Sequence, residues 1–93
     1  MNKAYRVVKV GQNHEGRLVD VESASFSLLN ARTPRIALRH IESQTNLNIN
    51  NIFIGPDAVH FTCEGCFFRI EELNGAHVPN YHQVVSMLRG SMG

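Results

Sequence analysis

The stretch Val59-His60-Phe61-Thr62-Cys63-Glu64-Gly65-Cys66-Phe67-Phe68-Arg69-Ile70 decides how this chain folds. Two runs rich in aromatic and β-branched residues flank Glu64-Gly65. That pair suits a two-residue hairpin turn, because Gly accepts positive φ without steric cost. Closing the chain there sets Cys63 opposite Cys66, Phe61 opposite Phe68 and Val59 opposite Ile70. Cross-strand partners share a face, so these six side chains form one apolar surface. His60, Thr62, Phe67 and Arg69 go to the other side. A one-residue slip would send all six apolar groups to water, so the register is strongly specified.

Working outward, Ala4 to Val10 reads as a strand, Gln12 to Gly16 as a turn-like break and Arg17 to Ser23 as a second strand. Pairing Val10 with Val19 would set Val8 opposite Val21 and Lys9 opposite Asp20, an apolar face with a cross-strand ion pair. Ser23 to Arg32 fits either a short helical segment or an irregular connection. Thr33-Pro34 then offers a helix N-cap followed by a residue suited to the first helical position. A helix is expected from Pro34 to Gln44, with Ile36, Ala37, His40, Ile41 and Gln44 on one side. A further strand is expected from Asn51 to Ile54, broken by Gly55-Pro56-Asp57. Beyond Ile70, Asn74-Gly75 marks a turn and Pro79 limits His77 and Val78 to extended or turn geometry. Asn80 can cap a last helix in which Tyr81, Val84, Val85 and Leu88 follow helical spacing, with Gly90 as its stop.

This order predicts an α+β domain: a mostly antiparallel sheet of four to five strands with two helices packed on one face. The 93 residues allow a single domain over 1–93, with 90–93 as a frayed tail. A chain this short buries only roughly 60–65% of its unfolded surface, which leaves little core for a deep pocket. The formal net charge is +1, and no basic stripe of the kind non-specific nucleic-acid binders carry is visible as a run. No apolar run approaches the ~20 residues of a membrane helix, and the N-terminus lacks a secretory apolar segment. With only two Cys, a reducing cytoplasm is the default compartment.

The sharpest candidate chemistry is Cys63-x2-Cys66-x10-His77-x4-His82, close to the spacing of a Cys2His2 zinc site. Pro79 falls between the two His, where a zinc finger needs an unbroken helix, and Phe67-Phe68-Arg69-Ile70 favours a strand. The preferred reading is therefore two small apolar residues paired across a hairpin, reduced and without metal. The five His are scattered, and Glu71-Glu72 are adjacent, so on a strand they face opposite ways. No constellation of acid, base and nucleophile emerges, and no cofactor is expected.

A binding surface is the better expectation. His60, Phe67 and Arg69, with Glu71 further along, share one sheet face, and an aromatic beside Arg is an ingredient of both protein hot spots and base-stacking platforms. The competing reading is that this face is covered, because five Phe and two Tyr in so small a domain should mostly be core. Arg32, Arg35 and Arg39 form a second candidate set, able to meet an acidic partner or a phosphate backbone.

The opening Ala4-Tyr5-Arg6-Val7-Val8-Lys9-Val10, followed by Asp20-Val21-Glu22-Ser23-Ala24-Ser25-Phe26-Ser27 and Ala31-Arg32, resembles the N-terminal part of small phage anti-CRISPR proteins that act on type I-F systems. The shared outline is a strand, a short break, a second strand ending in an acidic residue and a Ser-containing entry into a helix, over about the first third of the chain. The resemblance implies a non-enzymatic inhibitor in the host bacterial cytoplasm. It would bind the multi-subunit, RNA-guided surveillance complex, contacting its protein subunits or guide RNA, and block target DNA. Base pairing reads the target, so occluding the protein groove stops recognition without chemistry. The near-neutral charge argues for steric occlusion rather than acidic DNA mimicry. A small nucleic-acid-binding regulator is the alternative, and no membrane or small-molecule substrate is expected.

Overall fold

The computed structural model describes residues 3–90. Its elements run β1 (Lys3–Gln12), β2 (Leu18–Leu28), α1 (Pro34–Gln44), β3 (Ile49–Ile54), β4 (Ala58–Cys63), β5 (Cys66–Leu73) and α2 (Tyr81–Leu88). The strands form one five-stranded sheet in the order β2-β1-β5-β4-β3, with every neighbouring pair antiparallel. This is the expected α+β architecture, with two helices packed on the sheet. Of the tail expected to fray, residues 91–93 lie outside the described residues.

The β4–β5 hairpin has the expected register: Cys63 pairs with Cys66, Phe61 with Phe68 and Val59 with Ile70. Glu64 and Gly65 both take positive φ, +50° and +83°, as a tight turn matched to strand twist requires. Phe61 and Phe68 stack at 5.6 Å between ring centroids, and they join Tyr5, Val7, Phe26, Leu38, Ile41, Ile70 and Leu88 in the core.

The β1–β2 register departs from expectation. Val10 pairs with Asp20 and Lys9 with Glu22, so neither the Val10–Val19 nor the Lys9–Asp20 pairing forms. Two local features cause the shift. The Asn13 side chain accepts from the backbone N–H groups of Glu15 and Arg17, which builds a five-residue loop between Gln12 and Leu18. A bulge between Lys9 and Val10 then leaves Val21 without a partner. Val21 is exposed, and its Cγ2 would lie 2.8 Å from a Cβ placed on Gly11, so that position favours glycine.

Ser23 to Leu28 is neither helical nor irregular; it continues β2. Ala24 and Phe26 are buried beneath the helices while Ser23, Ser25 and Ser27 take the alternate positions, a period of two that marks a strand. The β3 strand likewise begins earlier than expected, at Ile49.

Both helices begin where their caps stand. The Thr33 hydroxyl accepts from Ile36 N–H at 3.2 Å, and the Asn80 side-chain oxygen accepts from Gln83 N–H at 3.0 Å. In α1 the buried residues are Ala37, Leu38 and Ile41, whereas Ile36, His40 and Gln44 are exposed. The buried stripe is thus turned toward Leu38, because the contact with β4 and β5 takes the helix at that angle. In α2, Val84, Met87 and Leu88 are buried and Tyr81 and Val85 are half-buried. Residues 77–80 run along the outer edge of β2. Asn80 N–H donates to the Ser25 carbonyl at 2.7 Å, the Ser25 hydroxyl donates to the Val78 carbonyl at 2.9 Å, and Ser27 Oγ meets His77 Nε2 at 3.0 Å.

Candidate functional site: the uncovered face of the sheet

Parity along the strands divides the side chains. Tyr5, Val7, Phe26, Phe61, Phe68 and Ile70 face the helices and make the core with them. The other face takes Arg6, Val8 and Val10 from β1, Thr62 and His60 from β4, and Phe67, Arg69 and Glu71 from β5. The register adds Leu18 and Asp20, which share the parity of Val10, and Phe53, which pairs with His60. Neither helix lies on this side, so the competing reading of a covered face is corrected. The core is filled by the inward hairpin residues, the inward half of β1 and β2, and the buried stripes of the two helices.

The face has two parts of different chemistry. Over β1 lies an ion-pair lattice. Arg69 grips Asp20 with both terminal nitrogens, Nη1 at 2.7 Å and Nη2 at 2.9 Å, and donates from Nε to Glu71 at 2.8 Å. Arg6 reaches the second oxygen of Glu71 at 3.4 Å. Asp20 and Arg69 belong to strands on either side of β1, so their contact passes over β1 and roofs Val8. This valine is only 2% exposed although it faces away from the helices. The bidentate bond to Arg69 holds the Asp20 carboxyl below its usual range, and the carboxylates raise the Arg69 guanidinium further.

The sign of the resulting pH dependence follows from that depressed carboxyl. Its contribution is present at neutral pH and is lost as acid protonates Asp20 below the usual carboxylate range. Urea midpoints measured from neutral to acid pH should therefore fall for the wild type. Arg69→Met keeps a roof over Val8 but frees Asp20, and should flatten the acid limb. An unchanged limb in that variant would mean the pair contributes nothing to stability.

The second part is aromatic and apolar. Phe67 is 64% exposed and Phe53 67%, and the Phe53 and His60 rings lie 6.3 Å apart. Leu18 is 70% exposed at the β1–β2 end of the same face. Together they leave large apolar groups in solvent on one face of the sheet, where no helix packs against them.

Of the residues singled out from sequence, His60, Phe67, Arg69 and Glu71 do share this face. Only His60 and Phe67 present free groups, since Arg69 and Glu71 are bound to each other and to their neighbours. Arg32, Arg35 and Arg39 stand on and before α1, in the helix layer on the opposite side of the sheet. Arg35 is paired with Glu42 at 3.0 Å, while Arg32 and Arg39 are exposed. The two Arg-containing sets therefore cannot form one surface.

The zinc alternative is corrected by distance. Cys63 is buried and its thiol donates to the Leu88 carbonyl at 3.3 Å. Burial first, then Glu64 and Cys66, push that thiol up to about 11, so it stays protonated at neutral pH. His77 follows the far end of β5, roughly 23 Å along the strand from Cys66 at its ordinary rise, and is engaged with Ser27. His82 lies near the start of α2, whose other end holds Leu88 beside Cys63. Among the described residues no three His, Cys, Asp or Glu side chains converge as a metal site.

Phe53 and Leu18 escaped sequence reading because irregular backbone resets their parity. Asn51 takes φ +53° at a break in the β3–β4 register, which rotates Phe53 onto the outer face. The bulge at Val21 of β2 does the same for Asp20 and Leu18. No helix of the described residues is long and apolar enough to cross a membrane. Comparison with protein-family models, with curated proteins and with solved structures returned no match.

Proposed function

We propose that this chain is a non-enzymatic binding protein whose contact surface is the uncovered sheet face, centred on Phe67, Phe53 and His60. The observation that carries this reading is the exposure of two phenylalanines on the side of the sheet that neither helix touches. Large aromatic groups anchored on strands of one sheet, here on either side of β4, lose little conformational freedom on binding, which is why they dominate interface energetics. The partner that the N-terminal resemblance implies is the RNA-guided surveillance complex of a type I-F system in the bacterial cytoplasm. Inhibition there would be by occlusion: a protein standing on the groove through which target DNA reaches the guide prevents pairing without any bond being made or broken.

Mixing the purified chain with a purified type I-F surveillance complex tests the reading. Co-migration on gel filtration, together with loss of target-DNA binding by the complex, is the expected result. Separate elution with undiminished DNA binding would reject that partner.

A further inference from the structure

The apolar part of the open face is a groove of about 580 Å³ that crosses the strands, from Leu18 on β2, past Val10, Phe67, Thr62 and His60, to Asn51 on β3. Four interstrand spacings make this span roughly 19 Å. No Lys, Arg, Asp or Glu lines it. The two Arg on the same face, Arg6 and Arg69, each already meet a carboxylate.

From this charge pattern we infer that the groove takes an uncharged, apolar segment of a partner protein, about six residues long when extended, and not a nucleic acid. The inference rests on the open-face reading above. A nucleic acid would bring a phosphate every few ångströms, and its affinity depends on Lys and Arg free to neutralise them. Here the guanidinium groups are neutralised in advance, and the groove floor presents only apolar carbon, amide, hydroxyl and imidazole groups. The centre of a protein interface has this composition: aromatic groups enriched, charges depleted. A small molecule fits less well. Such ligands bury most of their surface in concave sites, whereas Phe67 and Leu18 stand 64% and 70% exposed and cannot enclose one. A crossing segment that lays successive apolar side chains against Leu18, Phe67 and His60 covers the groove along its whole length.

The test is amide NMR of the isotope-labelled full chain, titrated separately with a blocked peptide of alternating Leu and Ser and with a short oligothymidylate. The peptide is expected to shift the amides of Leu18, His60 and Phe67 saturably, with little change from roughly 50 to 200 mM salt. Phe67→Ala should weaken it about tenfold, and Leu18→Ala should also weaken it while the amide dispersion of both variants stays native. Oligothymidylate shifting the same amides, with steep loss in salt, would overturn the occupant proposed while leaving the face as a binding surface. A peptide that leaves those amides unmoved, or moves those of Arg32 and Arg39 instead, would overturn the groove proposal, whereas the open-face reading stands or falls on the surveillance-complex experiment above.

Discussion

Truncating Phe68 to Ala should remove about 3–5 kcal/mol of stability, the usual cost of deleting a buried phenylalanine. Phe68 is 1% exposed and stacks on Phe61 across the β4–β5 hairpin, so its loss leaves a cavity lined by a ring that has lost its neighbour. The surrounding groups come from both layers, including Ile41 of α1 and Leu88 of α2, and cannot collapse into the gap without moving a helix off the sheet. Single domains hold only about 5–15 kcal/mol in total. The variant should therefore melt well over ~10 °C lower. Its neighbour in sequence provides the control: Phe67→Ala, on the open face, should stay within about 0.5 kcal/mol of wild type. Urea denaturation of both variants reads the difference. Similar losses at the two positions would mean that the two faces of the hairpin are not as assigned.

The second large effect is expected on binding. If the surveillance complex is the partner, as proposed, replacing Phe53 and Phe67 together by Ala should weaken the association by about 100-fold or more, since central aromatic anchors commonly contribute ~2 kcal/mol or more each. The two rings flank His60, Phe53 as its direct partner on β3 and Phe67 on its diagonal on β5, so their effects need not add. Folding should be untouched, because both rings are largely in solvent. Titration of the labelled complex with wild-type and doubly substituted protein measures the ratio. Equal affinity would clear the sheet face, and Arg32→Ala with Arg39→Ala would then test the α1 side.

These two experiments address opposite sides of one hairpin. Along each strand of Val59–Ile70 alternate residues are buried in the core, and of the outward ones His60 and Phe67 are exposed, because neighbouring side chains on a strand point to opposite faces. The core therefore holds the hairpin rigid without relying on the exposed groups of its outer face. The ion-pair lattice extends this arrangement. By binding Asp20 and Glu71, Arg69 covers Val8 and cancels the charge beside the groove, so a residue that sequence alone suggests as a contact instead shapes what the contact surface can accept.

Local signals were enough to read the β4–β5 hairpin and both helix starts. Glu64-Gly65 specifies its turn through backbone φ, Thr33-Pro34 and Asn80 cap through bonds a few residues long, and alternation sorts the hairpin's faces; none of these needs knowledge of the rest of the chain. The register of β1 on β2, the turn of α1 toward Leu38, the emergence of Phe53 and Leu18 beside Phe67, and the capture of Arg69 by Asp20 arise only on assembly. Each depends on a bulge, a helix docking angle or a contact between residues far apart in sequence, where one inserted residue reverses the side a chain faces. Whether the open face would be covered depended on where both helices dock, a choice set by the summed fit of two surfaces and written in no single segment.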